Sequence, residues 1–500
     1  MALPQGRLVT RAALLVFGTV AMAQQTDQLA LRSQQAKELM GQSRFLEAAD
    51  IYEELCRALP ANPGLRLNLG LALHMAGKPR ESIPHFEAVL KTQPNALPAL
   101  LSLGSARLQL NQPQQAIGPL RKAVPLDPGN PAPRGMLASA LLTTGLATEA
   151  AAHFRKLTEM LPEDTKGWNG LGRSYEAMSV QAFDRLTKLA PESGYWFALV
   201  ADSRNRQSQN RAAFYFYRKA AERAPKLRGV HQALAAIYRR TDHPDWAAKE
   251  EQREAALGTP QCKATRSAEC DFIAGRYLAL ISAPATTADS LYWRVRACDA
   301  LARESFDRLA RLPESVELHQ FLAEFHGSQG RSLEAAREWE AALRLAPGDP
   351  GIEREAAAAR IAVKDFPAAQ QILDHLLARE PSAADVNFLQ GDLLLNQQQA
   401  ERAIPFLKMA ADTDATLLPA QASLARAYLQ AGQGEAAIPH IQAALPLDQD
   451  GSLHFQLARA YQTSGQADLA RTAMGKYQEI RAKLQADKQI LEEEVLITPP

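Results

Sequence analysis

Apolar residues along this chain recur at spacings of three and four, in blocks of roughly a dozen residues separated by Gly, Pro, Asn and Asp. That spacing puts them on one side of a helix, so each block reads as an amphipathic α-helix and not as a strand. The blocks themselves repeat. In the unit Pro63–Pro94, Leu69 and Gly70 stand at positions seven and eight, Leu73 at eleven, Gly77 at fifteen, Phe86 at twenty-four and Pro94 at thirty-two. Thirty-four residues on, Leu103, Gly104, Ala116, Leu120, Ala123 and Pro128 hold the same offsets. A further step gives Leu137, Ala138, Leu141, Gly145, Ala150, Phe154 and Pro162. The small residue at the eighth place and the Ala at the twentieth sit where two helices must cross closely. The Gly at the fifteenth can take the left-handed conformation that ends the first helix. The Pro at the thirty-second stops the second. One such pair cannot bury its own apolar stripe, so neighbours must stack.

The register continues through Trp168, Leu171-Gly172 and Tyr175, then Ala213, Tyr217, Ala220 and Pro225. It is clear again at Ala335, Trp339, Ala342 and Pro347, at Ala369, Leu373 and Pro381, and at Gly391, Ala403, Leu407 and Ala410. It ends with Leu424-Ala425, Tyr428, Gly432 and Ala437, and with Leu457-Ala458, Tyr461, Gly465 and Ala470. On these residues the chain resembles the tetratricopeptide-repeat (TPR) family, as an exported, bacterial-type member. The resemblance implies an all-α, right-handed superhelical solenoid of about a dozen antiparallel helix pairs.

Four stretches depart from the pattern. The unit Thr165–Pro191 is short at the turn, so its two helices are either fused or poorly separated, and Asp289–Pro313 is short in the same way. Their sequences resemble each other (AMSVQAFDRLTKLAPES and ALARESFDRLARLPES), which suggests duplication of a block. Gly258–Ala288 holds two cysteines and no full helix pair. From Gln466 to Glu494 the pattern is one long helix, with Leu469, Tyr477, Ile480, Leu484 and Leu491 on one side, capping the last apolar face. The expected division is therefore a signal peptide over 1–23, a first array over 24–257, an irregular connector over 258–288, a second array over 289–480, and the end of the cap with a disordered tail over 481–500.

Composition adds little drive of its own. Hydrophobic residues make up 46% and aromatics only 6%, which suits helices packed through small side chains. Lys plus Arg number 56 and Asp plus Glu 55, so the net charge of +1 gives no overall attraction to nucleic acid or anionic membrane. The N-terminus changes the picture more. Arg7 and Arg11 precede the apolar stretch Ala12–Ala21, followed by the small-x-small site Ala21-Met22-Ala23. This reads as a secretory signal cleaved after Ala23, leaving a monomer in the periplasm or outside the cell without stable membrane insertion. An oxidising compartment permits disulfides. Cys262 and Cys270 flank a short polar loop and form the favoured pair; Cys270–Cys298, and four free thiols including Cys56, stay open as alternatives.

No catalytic, metal or cofactor site is expected. Gly170-Leu171-Gly172 lacks a third Gly and lies inside a repeat, so it reads as packing. His319 and His326, with Glu324 between, are too far apart along one helix for one metal ion. An enzyme would need a cleft assembled from separate repeats. What the resemblance implies instead is binding of a protein or peptide in a groove lined by the first helix of each unit. By that resemblance the groove positions are Leu67, Leu71, Leu101, Leu108 and Leu142 early. In the middle they are Lys166, Arg173, Asp202, Arg206, Arg239 and Arg240, and later Glu317, Gln320, Glu324, Arg354, Asp392 and Arg426. The Lys/Asn clamp of chaperone-tail-binding relatives is replaced by Leu67/Leu71, Leu101/Ser105 and Gly135/Ser139. Three roles follow: a scaffold or adaptor, a chaperone-like binder of extended exported chains, or a self-assembling structural solenoid.

Overall fold

A computed structural model describes residues 27–260, 262, 267–494 and 496–500, with side chains undescribed over 486–494. The expected signal peptide over 1–23 lies outside the described residues. Among these residues the chain forms α-helices, one 3-10 turn at Leu445–Leu447, and no strand. The helices run α1 (27–41), α2 (Phe45–Ala58), α3 (Pro63–Met75), α4 (Pro79–Thr92), α5 (Leu97–Gln109), α6 (Pro113–Leu126), α7 (Pro131–Thr143), α8 (Ala147–Met160) and α9 (Thr165–Leu189). They continue as α10 (Gly194–Arg206), α11 (Asn210–Arg223), α12 (Val230–Arg240), α13 (Pro244–Ala256), α14 (Ala268–Ile273), α15 (Tyr277–Ser282), α16 (Ala288–Leu309), α17 (Val316–Ser328) and α18 (Ser332–Leu345). The last are α19 (Pro350–Ala362), α20 (Phe366–Arg379), α21 (Ala384–Asn396), α22 (Ala400–Thr413), α23 (Leu418–Gln430), α24 (Gly434–Ala444), α25 (Ser452–Thr463) and α26 (Ala467–Glu494). Consecutive helices pack on one another through α2–α8, α10–α13 and α17–α26.

The pairs close as the repeat register requires. Gly70, Gly104 and Gly391 each face the side chain sixteen positions later. A Cβ built on them would lie 2.7 Å from Phe86, 2.5 Å from Leu120 and 2.4 Å from Leu407. Only a hydrogen fits there. Ala213 and Ala437 are fully buried at the matching crossings, and Ala335 and Trp339 are buried in their own. The turn after the first helix keeps the register too. Gly77, Asn111 and Gly145 have φ of +74°, +53° and +79°, and Gly330, Lys364, Gln398 and Gly432 form a second run with positive φ. Where glycine is missing, Asn111, Lys364 and Gln398 accept the left-handed conformation and its steric cost.

The two shortened units are single helices: α9 has 25 residues and α16 has 22. They lie on the division between two compact units. The first unit runs through Met178 and includes Leu301–Phe306; the second comprises Ser179–Ala300 and Asp307 onward. The first unit therefore takes α9 up to Met178 and the stretch Leu301–Phe306 of α16, and the second takes the rest of both helices. In the first, Gly172 faces Phe306, with the built Cβ 2.6 Å from the ring. In the second, Ser179 Oγ donates to Asp299 at 2.6 Å, and Arg185 donates to the Ala285 carbonyl at 2.9 Å. A fused α9 has no second helix of its own, and α16 stands in for it. The boundary between the two compact units falls inside α9 and α16. The connector over 258–288 belongs to the second unit and carries the short helices α14 and α15. Arg228 ties it down through Glu269 at 3.0 Å and the carbonyls of Leu257 and Gly258 at 2.8 and 3.1 Å.

At the far end α26 covers the last pair. Ala473 is buried with Leu457, Ala458 and Tyr461, and the Tyr477 ring meets Phe455 at 5.3 Å in a tilted contact. Leu469 and Leu484, assigned to the capping stripe, are exposed, and the side chain of Leu491 lies outside the described residues. The segment after α26, expected to be disordered, is instead seated. Thr498 is held by Arg218 and Tyr238, and Ile497 packs on the apolar cluster beneath them. The reason is a buried phenol hydroxyl that finds its acceptor in this segment.

Candidate protein-binding surface

The groove positions are placed by helices whose other faces do the packing. On α3, Leu65, Leu69, Gly70 and Ala72 are buried. Leu67 and Leu71, one turn apart, are left half-buried against the cluster of Ile83, Phe86, Leu103 and Ala106. Leu101 and Leu108 on α5 and Leu142 on α7 are also half-buried. The early leucines therefore divide their surface between the neighbouring repeat and solvent.

The middle positions are charged but internally paired. Arg173 lies 3.6 Å from Glu176, and Arg206 lies 3.6 Å from Asp299. Arg239 pairs with Glu251, and Arg240 donates to Asn205 at 2.6 Å. Asp202 accepts from the Tyr217 hydroxyl at 2.6 Å, and Lys166 is exposed. Later, Arg354 pairs with Glu380 and Asp385 at 2.5 and 2.6 Å, and Arg426 with Asp392 at 3.0 Å. Glu324 is exposed, and Glu317 and Gln320 are half-buried. Exposed pairs of this kind contribute little stability, about 0–1 kcal/mol each. They do leave much of the charge at these positions balanced by a neighbour of opposite sign.

One cluster was not legible in the repeat pattern. Arg296 on α16 packs over Phe272, Tyr292 and Trp293 at 5.2, 5.6 and 5.8 Å, and its Nη1 donates to the Tyr292 hydroxyl at 2.8 Å. Stacking a guanidinium on rings desolvates it at little cost. Burial pushes the Tyr292 phenol up to about 12, and burial with the nearby Asp202 raises Tyr217. Both stay protonated at neutral pH; Tyr217 donates to Asp202, and Tyr292 accepts from Arg296. The signal that could have found this cluster is aromatic density: Trp196, Phe197, Phe214, Tyr215, Phe216 and Tyr217 crowd a chain otherwise poor in rings.

A cleft of about 760 Å³ opens between α20, α21 and α22, lined by Phe366, Gln370, Asp374, Gln390, Arg402 and Phe406 among others. None of the groove positions lines it. Gln370 and Gln390 exchange amide hydrogen bonds at 3.1 and 3.2 Å across its floor. Cys262 and Cys270 are joined, with Cα atoms 5.3 Å apart, while Cys56 and the buried Cys298 are free. His319 bonds Glu338 and Glu314 at 2.6 and 2.8 Å, away from any partnership with His326. Trp168 donates its indole N–H to the Pro162 carbonyl at 2.8 Å, and Gly170 faces Phe154 of the preceding pair. Among the described residues, no group of three or more His, Cys, Asp or Glu side chains is placed to hold a metal ion. Nor, among them, is any helix long and apolar enough to cross a membrane.

Comparison with known proteins gives the same repeat. A tetratricopeptide-repeat family profile matches residues 33–80, 75–131 and 355–416. Human (Homo sapiens) tetratricopeptide repeat protein 34 is 26% identical over 196 residues, covering 37% of this chain. The chain spans about a third of that relative's length, 32%. Among solved structures, MamA from Desulfovibrio magneticus RS-1 is 22% identical, covering 34% of this chain and 96% of MamA, with a TM-score of 0.30. TTC0263, a thermophilic TPR protein in Thermus thermophilus, is 20% identical, covering 36% of this chain and all of its own, with a TM-score of 0.30.

Proposed function

Because the chain belongs to the tetratricopeptide-repeat superfamily, whose members generally serve as protein–protein interaction scaffolds, we propose that it is a non-enzymatic scaffold or adaptor outside the cytoplasm. It binds an extended peptide or a partner helix along the first helices of its repeats. The observation that carries this reading is the division of labour on α3 and α5. Gly70 and Gly104 lock each pair by steric fit, while Leu67, Leu71, Leu101 and Leu108 keep apolar surface available beside them. The location rests on the basic–apolar–small pattern at Arg7–Ala23, and the Cys262–Cys270 bond suits such a compartment.

Two measurements test it. Residues 1–40 fused to a reporter active only after export should give activity, and Ala23→Arg should block cleavage. A cytoplasmic, uncleaved fusion would overturn the location. Leu101→Glu with Leu108→Glu should release whatever crosslinks to the wild-type chain while leaving its melting unchanged. Retention of every partner would overturn the groove. A chaperone-like role is the second reading, favoured by the half-buried Leu67 and Leu71. It requires that the protein suppress aggregation of unrelated unfolded chains, and that the same substitutions remove the effect.

A further inference from the structure

Tyr238 on α12 is almost wholly buried. Its ring meets Phe214 edge-on at 5.3 Å and Trp246 at 5.7 Å. A phenol hydroxyl at the end of such a ring must still find a partner. It finds one in the Thr498 carbonyl, to which it donates at 2.6 Å. Arg218 on α11 sits over the Phe214 ring at 6.0 Å, which orients its guanidinium. Its Nη1 donates to Thr498 Oγ1 at 2.7 Å. Ile497 packs on the apolar cluster that includes Phe214 and Tyr238, while Leu496 is 61% exposed. So an aromatic-backed surface grips one residue through both its carbonyl and its hydroxyl, and takes the apolar side chain before it.

The seated segment is suited to this grip. Pro499 and Pro500 have no N–H to satisfy, and Pro499 biases Thr498 toward extended backbone. An extended strand of this kind leaves its carbonyls free for an outside donor. Its side chains carry no charge, and at Thr498 Arg218 meets a hydroxyl.

We infer that the surface formed by Arg218, Tyr238 and the ring of Phe214 is a peptide-binding site, separate from the groove positions. Its ligand is an uncharged extended segment of a partner protein, with an apolar residue, then Thr or Ser, then Pro. Leu496–Pro500 fills the site in cis. Two hydrogen bonds and one apolar side chain make a weak contact when untethered, of roughly millimolar rank. A tether of one chain supplies an effective concentration of similar rank, so the site is substantially self-occupied and open to displacement by a longer ligand.

The test uses the full chain and a fluorescein-labelled Leu-Ile-Thr-Pro-Pro peptide, read by fluorescence anisotropy. Ile497→Asp should free the site without touching the helical stack. With the tether's effective concentration and the contact's Kd of similar rank, the site is about half filled in cis, so this variant binds the peptide roughly twofold more tightly than the wild-type chain. Adding Tyr238→Phe, which removes only the hydroxyl, should reverse that gain. Arg218→Ala, at an exposed side chain, should do so as well and serves if Tyr238→Phe alters melting. Equal peptide binding by wild type and Ile497→Asp, or no binding by any chain, overturns the inference. So does binding indifferent to both Tyr238→Phe and Arg218→Ala.

Discussion

Gly104 and Gly172 obey one steric rule with different partners. Gly104 closes on Leu120, in the next helix along the chain, and Gly172 closes on Phe306. Both glycines stand at the eighth place of a unit, and both leave no room for a methyl group. At Gly104 the second helix of the unit follows after a short turn. At Gly172 the turn is missing, α9 runs on, and the face is covered by residues of α16 that belong to the same compact unit. A repeat position fixes what kind of residue must pack, but not where in the chain its partner comes from.

The largest expected effect tests that point. Phe306→Ala should cost about 3–5 kcal/mol, because the ring is buried and its loss leaves a cavity. Amides around Gly172 should then lose hydrogen-exchange protection, although they lie far away in sequence. Unchanged protection there would break the comparison. Leu120→Ala should cost about 2–5 kcal/mol, with lost protection confined to α5, α6 and their neighbours. Gly172→Leu and Gly104→Leu come next, each destabilising by about 1–3 kcal/mol through overpacking, read as lowered denaturant midpoints. Phe306→Ala combined with Gly172→Leu should cost less than the sum of the two, since the leucine enters the vacated space. Gly432→Ala should cost about 1–2 kcal/mol, because a Cβ is disfavoured at its φ of +75°.

The smallest effect is set by pH. Burial holds His74, His85 and His153 below the ordinary imidazole range, and all three lie in the first unit; burial does the same for His440 in the second. Such a group binds its proton more readily when the chain is unfolded. Stability is therefore full above the unfolded value of about 6.5 and declines as pH falls below it. Thermal melts between about pH 7 and 5.5 should show the decline, and His153→Gln should reduce it.

How much of this was legible follows from the same contrast. The close crossings at Gly70, Gly104 and Gly391, and the turns at Gly77, Gly145 and Gly432, were readable because they are local and periodic, although the side chain sixteen positions on that meets each of those three crossing glycines was not named by the pattern. The shortening of Thr165–Pro191 was readable too, but it left fusion and poor separation of the two helices both open, and the single helix α9 decides between them. The partner of Gly172 was not readable, because spacing within a unit carries no address for a distant helix. The repeat pattern assigns positions to the groove arginines but not their partners, and only the fold shows Arg206 beside Asp299 and Arg354 between Glu380 and Asp385. The two final prolines read as a loose end, yet Tyr238 and Arg218 convert that end into a ligand.

The long helices also have a consequence in time. Most of the chain makes contacts between neighbours and can take shape as it is synthesised. The bond from Ser179 to Asp299 joins residues 120 apart, and the Gly172 face waits longer still for its ring. At ribosomal speeds of about 5–20 residues per second, that interval is roughly 6–24 s. During it α9 has emerged with an apolar side uncovered, so the nascent chain carries its own interval of exposure at the point where its repeat is interrupted.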